Sequence, residues 1–166
     1  MGCVERNRRR GSWSLAGAAA LCALVALVPP AARAALLGSC AIVVIAPGKM
    51  VPDGAIATLG SAQPGGAAAL ARVTANSLIC VVLGLLDCFR VSAPAPSGFT
   101  AYPSGGDAGV TFSTSYRIDG GSGIGGSVQT EVLNGTHTVA VDLAAARASG
   151  VFPAGSYRAQ VTVLCE

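Results

Sequence analysis

Along residues 156–166, SYRAQVTVLCE, apolar and polar side chains alternate. Tyr157, Ala159, Val161, Val163 and Cys165 fall on one side of an extended chain, and Ser156, Arg158, Gln160, Thr162 and Leu164 on the other. A period of two belongs to a strand with one face toward a core. Tyr157, Ala159, Val161 and Val163 are therefore expected to point inward. VTFSTSYRID (110–119) repeats the pattern with Val110, Phe112, Thr114 and Tyr116. CAIVVIA (40–46) is a β-branched run ended by Pro47-Gly48, the composition of a strand running into a turn.

The longest apolar stretch, residues 67–93, lacks a clean period. Val73, Thr74, Ile79, Val81, Val82 and Val91 favour buried strands over a helix there, with a turn or bulge at Gly84 and Asp87. Asn134-Gly135, between VQTEVL and HTVAVDL, predicts a hairpin. AAARASG (144–150) suits one helical turn, and GGSGIGGS (120–127) a flexible loop. Many short strands punctuated by turns predict an all-β fold. The expected form is a single antiparallel β-sandwich or barrel of roughly seven to nine strands.

The beginning of the chain has a different character. RNRRR (6–10) precedes an apolar run, Leu15 to Val28, and then PPAARA. That is the order of a secretory leader with a small-residue cleavage site. Cleavage is expected after Ala34, giving a leader over 1–34 and one domain over 35–166. The apolar run is short for a membrane span, and no span is expected in the exported part.

The leader also explains the formal charge of +3. Beyond Ala34 the bases are Lys49, Arg72, Arg90, Arg117, Arg147 and Arg158, and seven acids outnumber them by one. No basic patch interleaved with aromatics remains, so nucleic acid is not an expected partner. Cys40, Cys80, Cys88 and Cys165 stay with the exported part. An even number in an exported chain predicts two disulfides and an oxidising compartment, the periplasm or cell surface. The alternative is a lipid anchor on Cys40, since Leu37-Gly38-Ser39-Cys40 loosely resembles a lipoprotein cleavage box. Pro29, Pro30 and Arg33 interrupt that pattern, and it would leave an odd number of thiols.

Chemistry-bearing residues are sparse. His137 is the one histidine, with no nucleophile and orienting acid visible around it. It is expected to be an ordinary strand residue. Asp53, Asp107 and Asp119 sit in Gly-rich turns, where Asp serves the backbone. No oxygen cluster suits calcium, and no Cys/His spacing suits zinc. Neither a cofactor, a metal nor an enzyme activity is expected.

Two stretches carry a resemblance. The Cys-headed strand SCAIVVIAPGKM (39–50), with Cys80 following, and the closing GVFPAGSYRAQVTVLCE (150–166) resemble bacterial pilin-like surface domains. That broad group includes spore-coat-protein-U-type and chaperone–usher fimbrial subunits. The resemblance implies an all-β, immunoglobulin-like antiparallel β-sandwich of about six to nine strands, whose last strand is missing and is supplied by a partner, a periplasmic chaperone or like subunits. It implies a structural or adhesive cell-surface subunit that assembles by strand complementation. The strand directions of such a fold bring all four cysteines to one end, with Cys40–Cys80 and Cys88–Cys165 as the expected pairs. If the first strand begins at Cys40, residues 35–39 are too few to fill a neighbour's strand-length groove. That points to a terminal subunit, a self-complete sandwich or a relative that does not polymerise. The competing function is a periplasmic binding module for a carbohydrate or small molecule, because fold does not fix function. Aromatics at only 5% speak against a stacking platform for sugars.

Overall fold

The computed structural model describes residues 38–77, 80 and 88–166, within the unit Ala34–Glu166. The expected leader and the turn at Gly84 and Asp87 lie outside the described residues.

The fold is all-β. Its strands are β1 (Gly38–Ala46), β2 (Val51–Pro52), β3 (Thr58–Gly60), β4 (Ala69–Ser77), β5 (Arg90–Ser92), β6 (Val110–Ile118), β7 (Ile124–Gly125), β8 (Thr130–Glu131), β9 (Gly135–Arg147) and β10 (Leu164–Cys165). Two antiparallel sheets share them, β1 to β4 with β6, β7 and β9 in one, and β10-β5-β8 in the other.

Several short strands continue one another. β1 pairs β4, Lys49 bridges Ala67, and β2 pairs β3. Residues 38–52 thus form one broken edge strand against 58–77. The reversal between them is built by Asp53, whose Oδ1 accepts the Ala57 N–H at 3.0 Å. β9 is central, with β4 and β3 along one edge and β6 along the other. In the second sheet a bridge from Ala101 to Arg158 extends the β5–β10 pairing. The closing segment 156–166 therefore runs antiparallel to 90–101.

Residues opposite each other in a ladder share a face, so register identifies the inward rows. Ala71, Val73 and Ala75 of β4 are buried, as are Val139, Val141, Leu143 and Ala145 of β9 and Tyr116 of β6. Val91, Ala93 and Val132 meet them from the other sheet. Tyr116 reaches across as well, its hydroxyl within 2.9 Å of the Val91 carbonyl and 2.7 Å of the Val128 carbonyl. A second cluster joins Leu59, Phe99, Ala145 and Phe152.

Three local expectations fail, each for a tertiary reason. Asn134-Gly135 is not a hairpin, because β8 pairs β5 in the opposite sheet. Asn134 instead caps β4, accepting the Ser77 N–H at 2.8 Å and donating to the Ser77 carbonyl at 2.7 Å. Its amide stands in for one more residue of ladder. Ala144 to Arg147 form no helical turn but continue β9 between β3 and β6. Ladders on both edges outweigh alanine's modest helix preference, and fully buried Ala145 lets the layers approach. GGSGIGGS is half structured. Ile124-Gly125 pairs β6, and Gly126 is wedged where a side chain would collide with the Thr114 hydroxyl and the Ala93 carbonyl.

Candidate functional site: a slot between the first and last strands

Tyr157, Ala159, Val161, Val163 and Cys165 are all half-buried, and Ser156, Arg158, Gln160 and Thr162 are exposed. The inward row packs against both core clusters. Among the described residues its backbone is held at the ends. Thr100 donates to the Arg158 carbonyl at 2.7 Å and Arg158 to the Ala101 carbonyl at 2.8 Å. At the other end Arg90 and Glu166 exchange bonds of 2.7 and 3.0 Å.

Between these anchors, residues 159–163 make no backbone hydrogen bond among the described residues. One side has a sequence cause. The facing chain carries Pro94 and Pro96, which have no N–H to offer. Ala93 has turned away, donating to the Gly126 carbonyl at 2.8 Å. On the other side no described strand lies alongside, since β10 is the edge of its sheet.

β1 is the edge of the other sheet. Its inward row is Cys40, Ile42 and Val44, opposite Ala75, Val73 and Ala71. Val44 is 74% exposed while Ala71, directly opposite, is 5% exposed. An inward-facing valine that open to solvent means that no described residue covers this edge at Val44. The space between the two edges is a slot of about 830 Å³. Leu59, Ala71, Val141 and Leu143 form its floor, Val44, Ala46 and Met50 one wall, and Tyr157, Ala159, Val161 and Val163 the other. Each wall spans roughly 25–30 Å at strand rise. Lys49 and Arg158 are the charged residues of its lining.

One end of the slot is fastened by a disulfide between Cys40 and Cys165. The second bond joins Cys80 to Cys88. The expected pairs, Cys40–Cys80 and Cys88–Cys165, are therefore corrected. Cys40 and Cys165 are inward-facing residues on the edge strands of opposite sheets, so they meet across the sandwich. Cys80 and Cys88 bound the short connection between β4 and β5, which brings them together. The four sulfurs still share one end, with Cys40 opposite Ala75 and Cys165 opposite Val91. The lipid-anchor alternative is corrected too, because the Cys40 sulfur is bonded to Cys165.

His137 is more than an ordinary strand residue. Its Nδ1 lies 2.7 Å from Asp119 Oδ2 and its Nε2 2.9 Å from the Leu133 carbonyl. Both partners are acceptors, so only the protonated ring satisfies both. The Asp119 hydrogen bond, helped by the Leu133 carbonyl, raises the His137 pKa against a small opposing effect of burial. The His137 bond and the Thr138 N–H lower that of Asp119. No ring nitrogen remains to activate a hydroxyl, so the pair is a latch between the 119 turn and β9. Among the described residues no three His, Cys, Asp or Glu side chains cluster as metal ligands would.

Alternation in 156–166 marks one wall of the slot. The other wall is not marked in the sequence, because CAIVVIA is apolar on both faces and shows no inward row. The Asp119–His137 contact spans 18 residues between turn and strand and leaves no local signal.

No protein-family model, curated protein or solved structure matches the chain. No described helix is long and apolar enough to cross a membrane. The two disulfides are consistent with an oxidising, extracellular or periplasmic location.

Proposed function

We propose that this chain is an exported, non-catalytic subunit of a bacterial cell-surface assembly, whose slot receives an extended strand from a partner. The partner is a periplasmic chaperone or a like subunit. The observation that carries the reading is the run 159–163, which has an apolar inward row and no backbone partner among the described residues. An added strand would satisfy those N–H and C=O groups and cover Val44, Val161 and Val163, as in recognition by β-augmentation. Exposed, uncharged edges of this kind are usually blunted in proteins that do not pair. Residues 38–48 carry no charge and present exposed Ile42, Val43, Val44 and Ile45. The resemblance of both chain ends to pilin-like domains supports the same reading.

A carbohydrate-binding module gains less support. Phe99 packs on Phe112 at 4.8 Å and on Tyr157 at 5.1 Å between ring centroids, and Phe152 on Tyr157 at 5.4 Å. These rings pack on one another, and Tyr102 is the one exposed aromatic among the described residues, a narrow platform for stacking.

The test is thermal. A peptide of alternating apolar residues should raise the melting temperature of the oxidised protein in proportion to the logarithm of its concentration above Kd. No shift at millimolar peptide would reject strand complementation.

A further inference from the structure

The slot is apolar along its length except at the end away from the Cys40–Cys165 bond. Lys49 and Arg158 lie there, and no described carboxylate lines the slot. Neither side chain has a hydrogen bond or an ion pair among the described residues. Two other bases are engaged, while Arg72 and Arg90 lie outside the slot lining. Arg117 pairs with Asp142 at 2.8 Å, and Arg147 donates to the Gly105 carbonyl and lies over the Phe152 ring. Across the described residues bases and acids are equal in number, so the uncompensated charge at this end is local.

Apolar alternation alone leaves the register of an incoming strand open. A slip of one residue turns its apolar face outward, but a slip of two restores it. A charged contact at one end removes that ambiguity and disfavours basic strands.

Resting on the reading that the slot accepts a strand, we propose that it selects one with a carboxylate at the end lying beside Lys49 and Arg158. The donor is another polypeptide. The alternating stretches of this chain that carry a carboxylate, 110–119, 137–143 and 156–166, are already part of its own sheets, so a folded second copy does not offer them.

The experiment uses the oxidised, exported chain and end-blocked peptides of alternating valine and alanine. One peptide carries Glu at its first position, one carries Glu at its last, one carries Gln at both and one carries Lys at both. One of the two Glu peptides should bind roughly threefold to tenfold tighter than the Gln peptide, the range for one or two exposed ion pairs. The advantage should fade in high salt and vanish in Lys49→Ala/Arg158→Ala. Lys49→Glu/Arg158→Glu should prefer the Lys peptide. Both positions are exposed, so unchanged melting temperatures of the variants without peptide serve as the folding control. Equal binding of all the peptides would overturn the charge selection and leave the slot reading standing. Absence of any peptide binding would overturn both. Concentration-dependent self-association that blocks peptide entry would place a second copy in the slot and overturn the proposal.

Discussion

Cys40 on the first strand is bonded to Cys165 on the last, so the two edge strands are joined at one end of a slot that is otherwise open between them. The bond spans 125 residues of sequence, whereas Cys80–Cys88 spans 8. Cross-link stabilisation through the unfolded state grows with the logarithm of the loop. Cys165→Ser should therefore cost about 2–5 kcal/mol, and about 2 kcal/mol more than the paired change Cys80→Ser/Cys88→Ser. Urea unfolding of the two variants measures the difference. Equal losses would mean that the long bond does not constrain the ends.

Val161 and Gln160 separate folding from function. Val161 faces the slot and is half-buried, and Gln160 is exposed. An aspartate at 161 keeps partial access to water through the open slot, so Val161→Asp should destabilise by only about 1–3 kcal/mol. The same change should abolish strand binding. Gln160→Asp should stay within about 0.5 kcal/mol of the parent. Melting curves with and without peptide test both variants. Equal behaviour would mean the register of 156–166 is wrong.

The His137–Asp119 latch gives stability a defined pH window. His137 has a raised folded pKa, so its contribution is complete below its unfolded value, about 6.5, and is lost as pH rises through the higher folded value. Asp119 has a lowered one, so its contribution is present above about 3.9 and is lost as pH falls through the lower folded value. The latch is therefore strongest between about pH 4 and 6.5. Asp119→Asn should flatten the stability profile above that window, read as melting temperature against pH. A profile unchanged by the substitution would remove the latch.

The strands with one polar face were legible in the sequence, because solvent writes the alternation of 110–118 and 156–163 directly into residue choice. Where both faces are apolar, as in β1, periodicity is silent and the inward row appears only through pairing with β4. Asn134-Gly135 misleads for a different reason. Turn chemistry is local, but whether the flanking strands share a sheet is not, and here they separate into opposite sheets. Four cysteines leave three connectivities open, and choosing among them requires knowing which edges face each other. The slot itself is a property of space. The inward row of 156–166 is visible in its residues, but the lack of a described strand alongside 159–163 is not.

The most direct test of strand complementation is hydrogen–deuterium exchange at residues 159–163, in the protein alone and in complex with a donor peptide. The amides of this run should exchange rapidly in the free protein, while those of β9 stay protected, and should become protected when the strand binds. Strong protection of 159–163 in the free protein, or no gain on adding peptide, would contradict it.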